Sequence, residues 1–141
     1  IVRLEQAGKE KLVVTQNNDG LQRAAGTSEE MLVEIHGTGS LAECQICGAR
    51  NPVEASFTQF KKNRQPPLCE CGGFLKSATI SFGQNLREPD LARAFAAANA
   101  CDLVIALGSP LSASPANTIP PASYHPLTPP PPPHVSPTVC P

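Results

Sequence analysis

Cys44 and Cys47 are separated by two residues, and Cys69 and Cys71, which follow Cys47 after 21 intervening residues, by one. Each pair runs into glycine, Gly48 after the first and Gly72-Gly73 after the second, as expected where backbone amides turn around thiolate sulfurs. Four thiolates are the donor set of a closed structural zinc site, so Cys44, Cys47, Cys69 and Cys71 are the expected metal ligands. The two-residue gap is ideal for such a knuckle. The one-residue gap changes the chelate geometry and leaves open two reduced pairs in a metal-free lobe. Cys101 closes a helix and reads as a small buried residue, while Cys140 lies in a proline-rich tail remote from the rest.

His36 offers different chemistry. It stands between an apolar strand and Gly37, and an imidazole titrates near neutrality, which suits general-base work. A satisfied structural histidine is the alternative. The polar stretch Gln16-Asn17-Asn18-Asp19-Gly20 follows the apolar run Leu12-Val13-Val14, where open α/β sheets place their ligand loops. A bare turn is its bland equivalent, because Asn, Asp and Gly accept positive φ or cap a helix.

The elements that must position these groups alternate. Val2 to Lys11 has helical spacing and leads through Gly8 to a β-branched strand at Leu12–Val14. Leu21 to Ala25 form a short helix stopped by Gly26, and Met31 to Ile35 form a second strand that delivers His36 to the same edge as Gln16. Between the cysteine pairs, Asn51 to Pro67 reads as a small solvated insert whose Lys61, Lys62 and Arg64 face water. Thr79 to Gly83 re-enter the core. Pro89 opens a helix that reaches Ala100 with Leu91, Ala92, Phe95, Ala96 and Ala98 on its apolar face, and Asp102 to Gly108 is expected to be a buried strand ending at Ser109-Pro110. Strand, helix and strand at this spacing imply a parallel sheet with right-handed crossovers.

Composition excludes several classes. A formal net charge of -1 over 141 residues, no tryptophan and one tyrosine give no electrostatic or stacking basis for nucleic acid or a membrane surface. No apolar run approaches the roughly 20 residues that span a bilayer, and Ile1-Val2-Arg3-Leu4-Glu5 has no signal-peptide layout. A soluble, cytoplasmic protein is expected, with cysteines used for metal rather than for a disulfide framework. From Pro120 to Pro141, ten of 22 residues are proline, a composition for an extended or disordered tail.

Together these residues resemble the sirtuin family of NAD-dependent protein deacylases, in particular its bacterial branch, from about Leu4 to about Pro115. The motifs are Thr15-Gln16-Asn17-x-Asp19-Gly20-Leu21, Glu34-Ile35-His36-Gly37, the two cysteine pairs with Gly72-Gly73, Phe82-Gly83-Gln84, and Gly108-Ser109-Pro110-Leu111. Each is weak alone; five in the family's order are specific. The resemblance implies an α/β fold in which a partial Rossmann-like parallel sheet (1–43 and 77–119) carries an inserted zinc-ribbon lobe (44–76), followed by the disordered tail (120–141). It implies NAD as co-substrate, structural Zn2+, an acyl-lysine protein or peptide as substrate, and transfer of the acyl group from lysine to ADP-ribose with release of nicotinamide. By the same resemblance, His36 is the base that takes a ribose hydroxyl proton. Asn17 and Asp19 hold the nicotinamide carboxamide, Gln16 the nicotinamide ribose, and Gly108 and Ser109 the adenosine side. Phe82 lines the acyl-lysine channel, and Gly83 lets the substrate backbone add as a strand. Asn18, Gln84 and Pro110 depart from the residues usual in the family. Its glycine-rich phosphate turn has no counterpart ahead of Leu12, and neither do the strands that follow the Gly108-Ser109 loop. The expectation is a truncated copy with impaired activity; the alternative is an inactive zinc-binding interaction module that keeps the acyl-lysine groove.

Overall fold

The computed structural model describes residues 1–120; the sequence expectation for the tail, Pro120 apart, lies outside them. The first helix, α1 (Val2–Gln6), ends at Gly8, whose φ of +65° lets the chain reverse towards the sheet. Strand β1 (Val13–Thr15) then pairs in parallel with β2 (Leu32–Glu34), with Val13 opposite Leu32, Val14 opposite Val33 and Thr15 opposite Glu34. Both strands lie one residue from where hydropathy places them. The connection between parallel strands must be long, and here it holds α2 (Leu21–Ala24) and a 3-10 turn (Glu29–Met31). Arg23 ties this connection to the sheet through ion pairs with Glu29 and Glu34.

Beyond His36 the chain enters a second, antiparallel sheet. Strand β3 (Gly37–Cys44) lies between β4 (Arg50–Pro52) and β5 (Leu75–Thr79). The stretch expected as a solvated insert is helix α3 (Val53–Asn63), which leaves Phe57 and Phe60 exposed and ends at Arg64 in the left-handed conformation. The Thr79–Gly83 expectation is only partly met. β5 ends at Thr79, and Ser81–Gln84 close a turn through the Gln84 N–H to the Ser81 carbonyl.

Helix α4 (Glu88–Ala100) has Pro89 in its first turn and buries Ala94 and Ala98 against β2. With Val33, Ile35, Ala116 and Ile119 these alanines form the core, lined by Leu12, Val14, Leu86, Leu91 and Phe95. Ile35 and Val33 are its most enclosed large side chains.

One expectation is corrected. Asp102–Gly108 forms no strand ladder with the described residues, and Leu103, Ile105 and Leu107 are 72%, 64% and 73% exposed. Apolar β-formers specify a strand only when a neighbour takes up their amides and carbonyls and a second layer covers their side chains, and neither is present here among the described residues. Among those residues, no helix is long and apolar enough to cross a membrane.

Candidate functional site

Because β1 and β2 run in parallel register, Gln16 and Ile35-His36 leave the sheet at the same edge. The Ile35 amide continues the ladder by donating to the Thr15 carbonyl at 3.0 Å. The next residue brings the His36 ring beside the Gln16 main chain, with Nδ1 3.1 Å from the Gln16 carbonyl oxygen. A carbonyl only accepts, so Nδ1 carries the hydrogen and the lone pair of the neutral ring is on Nε2. The side chain of the same Gln16 points the other way, its Nε2 donating to Ser109 Oγ at 3.4 Å. Ser109 Oγ also accepts from the Leu111 amide at 3.2 Å, which fixes the loop after residue 108. The structure therefore brings together Gln16, His36 and Ser109, of which Gln16 and Ser109 are 93 residues apart in the sequence.

The rest of the polar loop is shaped by main-chain contacts. Thr15, buried at the end of β1, accepts the Asn17 amide on Oγ1 at 3.1 Å, and the Asn18 carbonyl accepts the Gly39 amide at 2.8 Å. Asp19 Oδ1 accepts the Leu21 amide at 3.0 Å at the start of α2, while Gly20 takes φ +70°. Asn17 and Asp19 present exposed side chains, and no hydrogen bond joins them to His36 or Ser109 among the described residues. Gly108 is exposed with φ +65°.

Gly37 locks the other side of His36. It has φ +74° opposite Thr79, and a Cβ there would fall 2.1 Å from the Ala78 carbonyl oxygen, so glycine alone allows this crossing of β3 and β5. The His36 carbonyl accepts the Ile80 amide at 2.8 Å, which ties the histidine to the chain that leads to Phe82. Phe82 itself is fully exposed on the Ser81–Gln84 turn, beside Gly83 at φ +84°, and packs against nothing that would enclose a channel among the described residues. Sequence reasoning passed over Lys76. Its Nζ donates to the carbonyls of Thr79 at 2.6 Å and Ser77 at 3.2 Å and reaches Gln84 Oε1 at 3.4 Å. The signal was a single lysine in the strand that runs into Phe82-Gly83.

The four cysteines converge at the tips of the antiparallel sheet. The Gly48 amide donates to the Cys44 carbonyl and the Gly72 amide to the Cys69 carbonyl, closing both knuckles, with the glycines at φ +71° and +85°. All four sulfurs lie within 4.8 Å of one another. Cys44 Sγ is 3.4 Å from Cys71 Sγ, Cys47 Sγ 3.7 Å from Cys69 Sγ and 3.5 Å from Cys71 Sγ. Zn–S bonds of about 2.3 Å in a tetrahedron require sulfurs about 3.8 Å apart, so the set fits zinc, and the one-residue gap of the second pair does not prevent it. No disulfide joins these four sulfurs, whose separations exceed the roughly 2 Å of an S–S bond. The Cys47 and Ile46 amides pull the Cys44 thiol down to about 6. At Cys47 the Ala49 amide acts in the same sense, but the Cys71 and Cys44 sulfurs outweigh it and push this thiol up to about 12. Cys44 is thus ready to enter as thiolate, whereas Cys47 must release its proton as metal binds. Gly73 completes the site: a Cβ there would stand 2.6 Å from Cys44 Sγ.

The Sir2 family model matches residues 1–115. The chain belongs to the Sir2 family. Among curated relatives of this Sir2 chain, NAD-dependent protein deacetylase 2 of Streptomyces coelicolor is 38% identical over 117 residues, covering 82% of this chain and 48% of the relative. NAD-dependent protein deacetylase 1 of Bradyrhizobium diazoefficiens is 39% identical over 120 residues, covering 85% and 47%. A solved Sir2 structure bound to a propionylated peptide superposes with a TM-score of 0.75 at 31% identity, over 84% of this chain and 49% of that one. A Sir2–p53 peptide–NAD+ complex gives 0.74 at 31% identity, over 84% and 48%. This Sir2 chain thus spans about half the length of the relatives it matches.

Proposed function

We propose that these residues form the nicotinamide and acyl-lysine side of an NAD-dependent protein lysine deacylase of Sir2 type. The observation that carries the proposal is the contact of one residue, Gln16, with both His36 and Ser109. With Nδ1 occupied by the Gln16 carbonyl, His36 Nε2 is the free proton acceptor at the sheet edge, the arrangement a general base needs. NAD, when bound, would supply the ADP-ribosyl group whose ribose hydroxyl accepts the acyl group, with nicotinamide as the leaving group. Around it, Gln16 orients the nicotinamide ribose, Asn17 and Asp19 engage the carboxamide with exposed amide and carboxylate groups, and Gly108 and Ser109 meet the adenosine side. Phe82 and Gly83 receive the acyl-lysine chain and its backbone. Zinc at Cys44, Cys47, Cys69 and Cys71 is structural, because four thiolates leave no position open for water.

We place the protein in the cytoplasm, where cysteine thiols stay reduced, and divide it at 1–43, 44–76 and 77–119 as the sequence suggests. Turnover by these 141 residues is expected to be slow, since contacts to both ends of a dinucleotide supply much of its affinity and these residues span about half the length of the relatives they match. Calorimetric titration with an acetyl-lysine peptide, its unmodified counterpart and NAD tests the reading. Binding of acetylated peptide over unmodified peptide, with weak binding of NAD, supports it. Acetyl-peptide binding with no NAD binding at any concentration supports the alternative, a zinc-containing interaction module without catalysis.

A further inference from the structure

The Ser81–Gln84 turn carries no buried side chain: Ser81, Phe82, Gly83 and Gln84 are all exposed. Packing therefore does not fix it, and polar contacts must. The Gln84 amide donates to the Ser81 carbonyl at 3.0 Å, and Gln84 Oε1 accepts the Ser81 amide at 2.8 Å, so the turn is closed from both sides around Phe82 and Gly83. This reciprocal clasp is joined to the sheet by Lys76. An ammonium has three donors, and those of Lys76 find three neutral oxygens: Thr79 O, Ser77 O and Gln84 Oε1. Thr79 O belongs to the last residue of β5, immediately before Ile80, whose amide reaches the His36 carbonyl. One half-buried lysine thus holds the end of the strand bonded to His36 and the side chain that closes the turn. No carboxylate of the described residues pairs with it within 4.0 Å.

We infer that Lys76 is a positioning residue for acyl-lysine binding: its bridge to Gln84 and Thr79 presents Phe82 and Gly83 in one conformation to the incoming chain. The inference rests on the acyl-lysine role proposed above for those two residues. A preformed loop binds without the cost of ordering itself, so loss of the bridge lowers affinity for peptide and leaves the metal site alone. Arginine, a planar fork, cannot direct its donors to three oxygens arranged around one ammonium and should rescue only in part. Glutamate at position 84 would turn the neutral contact into an ion pair of greater strength and greater salt sensitivity.

The test compares wild type with Lys76→Met, Gln84→Ala and Gln84→Glu. It measures binding of a fluorescent acetyl-lysine peptide, amide hydrogen exchange at Ser81 and Gln84, and zinc content. Gln84 is on the surface, so Gln84→Ala keeps the test valid should Lys76→Met fold poorly. Expected are peptide affinity weaker by about tenfold in Lys76→Met and Gln84→Ala, faster exchange at Ser81 in both, unchanged zinc content, and equal or tighter binding at low salt in Gln84→Glu. Wild-type peptide affinity in Lys76→Met and Gln84→Ala, or unchanged Ser81 exchange, overturns the positioning role. Failure of the wild-type protein to bind acetyl peptide at all overturns the acyl-lysine reading itself, and with it this role.

Discussion

His36 Nδ1 lies 3.1 Å from the main-chain carbonyl of Gln16, so the ring is oriented by backbone rather than by a side chain. A substitution at position 16 can therefore separate two functions that share one residue. Gln16→Ala removes the contact to Ser109 but keeps the carbonyl at His36. NAD binding should weaken by about tenfold, the order expected for one lost hydrogen bond, while nitrogen NMR of the imidazole still reports a proton on Nδ1. Loss of that tautomer in Gln16→Ala would show that the side chain, not the carbonyl, holds the ring.

Gly37 is the hinge between the two sheets, and alanine there has no space. With φ at +74° and the Ala78 carbonyl oxygen 2.1 Å from a built Cβ, Gly37→Ala should destabilise the protein by more than about 2 kcal/mol, as strain at a special φ combined with overpacking does. Thermal melting measures it. Gly26→Ala, where φ is +100° but no atom lies within 4 Å of the built Cβ, should cost less.

Much of the site was legible because it is local. Thr15 to Gly20, Glu34 to Gly37 and the cysteine pairs are short runs in which spacing dictates backbone shape, and the structure brings Gln16, His36 and Ser109 together and clusters the four sulfurs. The misreadings concern neighbours. Asp102–Gly108 has the composition of a buried strand, but burial depends on what lies alongside, which hydropathy does not encode. Asn51 to Pro67 reads as a small solvated insert, and helix α3 forms within it with Phe57 and Phe60 left exposed. Lys76 was invisible because its three acceptors are oxygens of other residues.

Zinc should hold the lobe together. Purified protein should contain one zinc per chain. Cys71→Ser should abolish it, and Gly73→Ala should weaken it, because the added methyl meets Cys44 Sγ at 2.6 Å. Zinc binding in small domains contributes roughly 10–16 kcal/mol, so chelation should unfold β3 to β5 at temperatures where the native protein is stable. Metal analysis with circular dichroism checks this, and an intact lobe after complete metal removal would refute it.

The thiols set a pH window. In metal-free protein the Cys44 thiol is lowered from 9.0 to about 6 by the Cys47 and Ile46 amides. A depressed acid stabilises the fold above its unfolded value and ceases to as pH falls through the folded one. The contribution of Cys44 should thus be complete above about pH 9 and fade towards pH 6. Cys47, raised to about 12, acts in the opposite sense above pH 9. Ultraviolet thiolate absorbance should show one early step near pH 6 that Cys44→Ser removes, and bound zinc should be displaced by protons below that pH.

The most direct measurement is the fate of the acyl group. Incubated with NAD at high concentration and an acetyl-lysine peptide, the wild-type protein should yield acetylated ADP-ribose and free nicotinamide in equal amounts by mass spectrometry, with neither formed in the absence of peptide or of NAD. His36→Ala should reduce both by at least about a hundredfold, the lower range for loss of a general base. Free acetate formed without NAD, or product formation unchanged in His36→Ala, would contradict the assignment of deacylase chemistry to this sheet edge.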